Sequence, residues 1–289
     1  MCYLPKIIGL FFILSLSSCK KTEPIKKIIP PAYNWFRVSN IDADTRILEK
    51  KESSQANVLY LISGTERSIL FDSGSGENRA ENGFKIKPHV EALVDSPISL
   101  VLSHFHFDHS QNANEFENII FPNIPFLRKA TNENQYYTLT ETDLFEGTSP
   151  KQIKVSEWLP ISKDIDLGGR TIQLMHIPGH TDESVAIVDQ KRKLIFLGDF
   201  FYNGTLFTFK EGDIEKYVTS VAKITALIDE EYRLFGAHGF PEISLSSFNK
   251  FPRLLNCIQN ENCQGTSQMA FGKPLLLYNL DGLQIASFQ

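Results

Sequence analysis

The sequence has no apolar run long enough to cross a bilayer, no surplus of positive charge and few cysteines. The apolar stretch Ile7–Leu16 (IIGLFFILSL) has ten residues, about half of the roughly 20 that a spanning helix needs. Lysine and arginine total 29 against 34 aspartate plus glutamate, a formal net charge of −5. The chain therefore lacks the basic face that a nucleic-acid backbone requires, and no nucleic-acid partner is expected. The four cysteines are Cys2, Cys19, Cys257 and Cys263. None has the CxxC or Cys/His spacing of a structural zinc site. From Tyr33 onward there is no internal repeat and no low-complexity segment. The composition, 42% hydrophobic and 22% charged, is that of an ordinary globular chain and excludes wholesale disorder.

The apolar stretch fits the core of a secretory signal, which needs about 7–15 apolar residues. It follows Lys6 and ends in Leu16-Ser17-Ser18-Cys19. Small residues before a cysteine resemble the bacterial lipoprotein signal, in which cleavage precedes a lipidated cysteine. The expectation is a signal peptide over residues 1–18, lipidation of Cys19, and export as a membrane-anchored lipoprotein, periplasmic or on the cell surface. Residues 19–33, rich in lysine and proline, read as a tether. Residues 34–289 then form the folded domain. Cys257 and Cys263 lie six positions apart, too far around a continuous helix to meet. A bridge needs a break at Asn260-Glu261-Asn262; bridge and free thiols both stay open.

Strand signals dominate the first part. Asn57–Ile62 and Ser68–Phe71 flank a turn and predict a hairpin. Ser99–Leu102 reads as a buried strand, Lys87–Val94 as a short helix and Pro125–Tyr137 as a longer one. Thr171–Ile177, Ser184–Val188, Leu194–Leu197 and Tyr232–Phe235 read as strands. Asp213 is expected to cap a helix whose apolar stripe runs from Ile214 to Ile228. Ser246–Ile258 reads as a second helix, and Leu275–Phe288 as a hairpin around Asp281-Gly282. Strands interleaved with helices predict an α/β sandwich, mixed sheets inside and helices outside.

The chemistry concentrates in Ser103-His104-Phe105-His106-Phe107-Asp108-His109. Three imidazoles and a carboxylate within six residues, just past a buried strand, need solvent or a metal to satisfy them. Further candidates follow other strands: His180 in Pro178-Gly179-His180, Asp199 in Leu197-Gly198-Asp199, His238 in Ala237-His238-Gly239. Glycine beside each allows close backbone approach. If these strands are parallel neighbours, their ends converge on one sheet edge. Five imidazoles and two carboxylates there can hold two divalent ions, with zinc suited to an N/O donor set and iron or manganese as alternatives. His89 and His176 lack this context.

This set resembles the metallo-β-lactamase fold superfamily, carried by Phe71-Asp72-Ser73-Gly74, the 104–109 cluster, Pro178-Gly179-His180, Leu197-Gly198-Asp199 and Ala237-His238-Gly239. The resemblance implies an αββα sandwich of two mixed β-sheets with helices on the outer faces and a dinuclear site between the sheets. It implies that His104, His106 and His180 hold one ion, that Asp108, His109 and His238 hold the second, and that Asp199 bridges them. Asp72 is implied to orient a ligand; a turn-initiating role before Ser-Gly is the alternative. The two ions share a water and lower its pKa, so that hydroxide attacks a carbonyl while Asp108 orients it and helps move its proton.

Aspartate at position 199 resembles the glyoxalase II, lactonase and thioesterase branches rather than the antibiotic hydrolases. An ester, thioester or lactone of small-molecule size is the implied substrate. Iron-dependent persulfide-dioxygenase-like chemistry and β-lactamase activity are the alternatives. Tyr202 sits at the offset where lactonases present a hydroxyl to substrate; packing in a Phe-rich loop is its other reading. Ser110-Gln111-Asn112 stand where the family usually has two glycines, so the local backbone is expected to differ. The aromatics between Asn114 and Asp166, Phe121, Phe126, Tyr136, Tyr137, Phe145 and Trp158, either wall a substrate pocket or join the core.

Overall fold

The structure, a computed structural model, describes residues 35–50, 53–77, 83–210 and 212–288. The expected signal over 1–18, the lipid attachment at Cys19 and the tether over 19–33 lie outside those residues. No helix among the described residues is long and apolar enough to cross a membrane.

One sheet begins with β1 (Arg37–Asp42), β2 (Thr45–Glu49), β3 (Val58–Ser63) and β4 (Ser68–Phe71), paired antiparallel in sequence order. It continues in parallel through β5 (Ile98–Val101) and β6 (Ile119–Pro122). A separate hairpin of β7 (Tyr136–Thr138) and β8 (Gln152–Lys154) precedes β9 (Glu157–Leu159), which closes the sheet beside β6. The second sheet has the order β10 (Ile165–Asp166), β11 (Thr171–His176), β12 (Val185–Asp189), β13 (Leu194–Phe196), β15 (Arg233–Phe235), β16 (Glu242–Ile243), with β13 and β15 parallel. The third, which the sequence reading missed as a sheet, sets β14 (Thr205–Thr208) parallel to β19 (Leu283–Phe288), followed by β18 (Lys273–Leu280) and β17 (Thr266–Ala270).

Two-residue periodicity on the second sheet divides the core. Val185, Ile187, Leu194 and Phe196 pack towards the first sheet with Leu59, Leu61, Leu70 and Leu100. Their neighbours Ala186, Val188, Ile195 and Leu197 point to the opposite face, against Tyr217, Val221, Ile224 and Leu254 of the outer helices. Each buried aliphatic or aromatic side chain contributes about 1.5–3 kcal/mol. The helices are α1 (Ile86–Glu91), α2 (Phe107–Ser110), α3 (Pro125–Ala130), α4 (Glu141–Leu144), α5 (Asp213–Leu227), α6 (Leu245–Phe248) and α7 (Phe251–Gln259). The fold is thus the expected sandwich of mixed sheets with helices outside, to which the third sheet is added.

Several element expectations need correction. The helix expected over Pro125–Tyr137 stops at Ala130. The Asn132 carboxamide oxygen accepts from the backbone N–H of Asn134 and Tyr136, a local turn that competes with helix. Asp213 does not cap α5: Gly212 holds that position, and the Asp213 carboxylate reaches back to the N–H groups of Phe209 and Lys210. The helix expected over Ser246–Ile258 is two helices, because Pro252 cannot donate and opens α7 instead. After α7, Glu261 takes φ 56° and the chain doubles back, so Cys257 and Cys263 are bridged, their Cα atoms 5.3 Å apart.

Candidate metal centre

The parallel pair β4 and β5 delivers Asp72 and the 104–109 segment to one edge of the first sheet. The parallel pair β13 and β15 delivers Asp199 and His238 to the facing edge of the second. His180 follows β11, which is not adjacent to β13. The antiparallel strand β12 lies between them, so β11 and β13 run in the same direction without being neighbours. The two edges are tied together by Val185 N–H to the Ser103 carbonyl (2.9 Å) and Val58 N–H to the Ala237 carbonyl (2.8 Å).

Two glycines make the approach possible. Gly198 has φ 56°, and a Cβ there would lie 2.5 Å from Cβ of Ser103. A Cβ on Gly179 would lie 2.6 Å from the Tyr217 ring. A side chain at either position would push Asp199 or His180 out of the cleft.

The seven residues come together in two buried groups, His104, His106 and His180, and Asp108, His109, Asp199 and His238. Within each group the ligand atoms lie within 4.8 Å of one another. The groups themselves touch: His180 Nε2 is 3.7 Å from Asp199 Oδ2. His238 Nε2 lies 3.1 Å from Asp199 and 3.3 Å from Asp108. His109 Nε2 lies 3.3 Å from each of the same carboxylates.

Hydrogen bonds on the far side of four imidazoles decide which nitrogen faces inward. His109 Nδ1 donates to Asp72 Oδ2 (2.9 Å), His180 Nδ1 to the Phe207 carbonyl (3.2 Å) and His238 Nδ1 to the Gln55 carbonyl (2.7 Å). His104 Nδ1 donates to Ser103 Oγ (3.0 Å), which in turn donates to Asp72 Oδ2 (2.8 Å). Each of these rings therefore turns Nε2 into the cleft. His106 turns its Nδ1 inward, 3.1 Å from His180 Nε2. Asp72 is the hub of this arrangement: its Oδ1 also accepts from the Ser103 N–H at 2.6 Å, and its own backbone sits at φ 70°. It is 1% exposed and accepts three hydrogen bonds, from His109, Ser103 Oγ and the Ser103 N–H.

Burial lowers the pKa of His104, His106 and His180, and the neighbouring imidazoles lower His104 and His106 further. These rings are neutral and carry lone pairs. Burial acts in the same direction on His109 and His238, but the carboxylates of Asp108 and Asp199 outweigh it and raise both, His238 to about 10. Burial raises Asp108 and Asp199, yet His109 and His238 hold both carboxyls well below the usual range. His104 Nε2, His109 Nε2 and Asp199 Oδ1 are buried with no hydrogen-bond partner. His109 Nε2 and Asp199 Oδ1 face each other at 3.3 Å as an ion pair, whereas the unsatisfied His104 Nε2 costs about 1–3 kcal/mol that a ligand would remove. Preformed imidazole lone pairs and ionised carboxylates fit divalent cations.

Tyr202 lies at the cleft, its ring 5.1 Å from that of His238. Its hydroxyl donates to the Thr205 carbonyl, and its ring belongs to the outer core. The structure therefore favours the packing reading over a hydroxyl offered to substrate. Ser110 and Asn112 replace backbone freedom with side-chain ties: Ser110 Oγ donates to the Phe105 carbonyl, and Asn112 Nδ2 to the Ser73 carbonyl. His176 is a strand residue bonded to the Asp182 carbonyl, and His89 packs between Phe36 and Phe84. Of the aromatics between 114 and 166, Phe121 and Tyr137 are core, Trp158 packs against it, and Phe126 and Tyr136 are exposed. Phe145 alone reaches the cleft, its ring 5.5 Å from His106. The relay through Ser103 was missed in sequence, although Ser103 directly precedes His104.

Residues 54–238 match the metallo-beta-lactamase superfamily. The human acyl-coenzyme A thioesterase MBLAC2 is 28% identical over 218 residues, covering 68% of this chain and 78% of the relative. A hydroxyacylglutathione hydrolase of Francisella tularensis subsp. novicida is 26% identical over 190 residues, 65% of each chain. Among solved structures, a metallo-beta-lactamase from Pontibacter korlensis aligns with a TM-score of 0.57 at 15% identity, covering 76% of this chain and 99% of that one. Another, the B3 metallo-beta-lactamase BLEG-1, aligns with a TM-score of 0.51 at 18% identity, covering 73% and 94%. The order of the strand-end motifs, the facing sheet edges and this sequence match agree: the chain belongs to the metallo-beta-lactamase superfamily.

Proposed function

We propose that the chain is a dinuclear metal-dependent hydrolase of a carboxylic ester, thioester or lactone. The observation that carries this reading is the convergence of five imidazoles and two carboxylates on one cleft, with four of the rings oriented from behind and His104 Nε2 left without a hydrogen-bond partner. His104, His106 and His180 would hold one cation, Asp108, His109 and His238 the other, with Asp199 between the groups. Zinc suits this nitrogen-rich set, with iron or manganese as alternatives. Bound cations would supply Lewis acidity and water of lowered pKa.

The remaining work falls to side chains. Asp108, its Oδ2 against both His109 and His238, is placed to hold a proton on its way to the leaving group. Asp72 and Ser103 hold the His109 and His104 rings in register. Tyr202 walls the cleft. The acyl-coenzyme A thioesterase and hydroxyacylglutathione hydrolase names of the relatives support a carbonyl substrate.

The export reading, with residues 1–18 as signal, Cys19 lipidated and residues 19–33 as tether, is part of the same proposal. The Cys257–Cys263 bridge supports it, because disulfides persist in oxidising compartments. The test is chelator-sensitive acid release by the purified chain from a panel of thioesters, lactones, simple esters and β-lactams. Hydrolysis that chelation abolishes and divalent metal restores is the expected result. Silence across the panel with metal bound would overturn the hydrolase reading in favour of redox chemistry.

A further inference from the structure

Beside the metal centre lies a cavity of about 430 Å³, which meets a second of about 290 Å³ at His106, Phe145, His180 and Phe209. The larger runs under the third sheet; the smaller covers Asp108, Asp199 and His238. Besides Phe107 of α2, five phenylalanines line the two: Phe145, Phe207, Phe209, Phe271 and Phe288. Phe209 packs 4.9 Å from His106 and 5.2 Å from His180, ring centre to ring centre. Phe145 is 4.8 Å from Phe209 and 5.1 Å from Phe271, and Phe288 is 5.4 Å from Phe209.

These rings are not core. None of the five belongs to either buried cluster, and Phe271 is 51% exposed. On β14 the alternation separates the two roles: Leu206 enters the outer core, and Phe207 faces the cavity. Phe209 is held where the Asp213 carboxylate accepts its backbone N–H. Phe145 sits at φ 38°, followed by Glu146 at φ 60°. Such a backbone is strained for a bulky residue, and strain of this kind collects at ligand sites. Four of the five rings come from the third sheet and its immediate extension.

The charge around the rings has one prevailing sign. Six acidic side chains line the larger cavity against Lys210 and Lys273; burial raises Glu183 to about 7, Asp182 and Asp213 are paired with Lys216, and Glu141, Asp143 and Glu146 remain. Both lysines are engaged, Lys210 with Asp182 at 3.2 Å and Lys273 over the Phe145 ring at 5.5 Å. Among the described residues lining the smaller cavity there is no lysine or arginine. Apart from the cations proposed for the centre, a polyanionic leaving group would meet prevailing like charge along the cavity walls.

We propose that the third sheet forms an apolar acyl pocket, with Phe145, Phe209 and Phe288 as its specificity-determining walls, and that the substrate is an uncharged ester or thioester of an apolar acid rather than a thioester of an anionic carrier. The proposal rests on the hydrolase reading above and narrows it. Each methylene of the acyl chain gains apolar contact in the pocket, and an anionic leaving group loses affinity through repulsion that salt screens.

The test uses the metal-loaded chain and three probes: the acetyl and hexanoyl thioesters of N-acetylcysteamine, which are neutral, and hexanoyl-coenzyme A. At low salt, kcat/KM for the neutral hexanoyl thioester should exceed that for hexanoyl-coenzyme A by about tenfold or more, with the gap narrowing as salt rises. The hexanoyl-over-acetyl preference should fall about tenfold in Phe209→Ala and be largely kept in Phe209→Leu. Charge reversal in Glu146→Lys should raise turnover of the coenzyme A thioester severalfold. A coenzyme A thioester turned over as well as its neutral counterpart, or a preference unchanged in Phe209→Ala, would overturn the proposal. If no probe is hydrolysed, the hydrolase reading fails by itself. Calorimetry with octanamide then decides on the pocket: binding lost in Phe209→Ala upholds it, and no binding by the unsubstituted chain overturns it.

Discussion

At the residue scale, the orientation of the ligands is set one layer behind them. Asp72 accepts from His109 directly and from His104 through Ser103, so a single buried carboxylate fixes two rings. Asp72→Asn keeps the shape but offers only one accepting oxygen. It is expected to weaken metal affinity about 10–100-fold, measured by competition with a chromophoric chelator. An affinity unchanged by this substitution would contradict the orienting role. Tyr202→Phe should leave turnover within about threefold, because the hydroxyl proton is committed to Thr205. A tenfold loss at unchanged metal content would return that hydroxyl to the chemistry.

The convergence of the seven candidate ligands was legible in sequence because their residue types, packed so densely after strand signals, have few structural uses. Ser103 was not, since a serine beside a histidine has many. For Tyr202 packing was one of two readings, and the choice between them depends on a carbonyl three residues on that only the folded loop brings round.

At the element scale, the strands read from sequence agree within a residue or two with β3–β5, β11–β13 and β15, and so do the hairpins of β3–β4 and β18–β19, whereas the fully buried β6 was not read. Helices were read less well where a local device overrides periodicity. Asn132 stops α3, Pro252 splits α6 from α7, and Gly212 displaces Asp213 from the cap. The third sheet escaped because its edge pairing, β14 with β19, joins segments nearly 80 residues apart that no local pattern relates. The bridge after α7 closes a short loop, and its removal should cost about 2 kcal/mol on the chain-entropy account. Denaturation of Cys257→Ser/Cys263→Ser should show that loss, with metal-dependent turnover retained, because neither cysteine lines the cleft or belongs to its candidate ligands. Loss of metal binding in that variant would show that the outer helices, contrary to this account, hold the site.

At the scale of the whole molecule, two buried groups give stability an opposed pH dependence. Burial raises Glu183 to about 7 from 4.5. The folded state keeps that proton where the unfolded chain has lost it, so this contribution is full below about pH 4.5 and declines as pH rises towards 7. Burial lowers His89 to about 4 from 6.5. Its contribution is full above about pH 6.5 and declines as pH falls towards 4. Each is on the order of 3 kcal/mol. Chemical denaturation across pH 4–8 should therefore show Glu183→Gln flattening the decline towards neutral pH and His89→Phe flattening the decline towards acid. Parallel profiles for variants and unsubstituted chain would refute both assignments.

The two-sheet architecture has a further consequence. Neither sheet edge holds a complete donor set, since Asp199, His180 and His238 arrive from one sheet and the 104–109 segment from the other. The most direct test of the account is metal stoichiometry read together with turnover of a thioester, for the unsubstituted chain and for His106→Ala. The account predicts two equivalents of divalent metal per chain, turnover that disappears on their removal and returns on their replacement, and loss of both metal and turnover in His106→Ala. Full turnover in metal-stripped protein, or in His106→Ala, would contradict it.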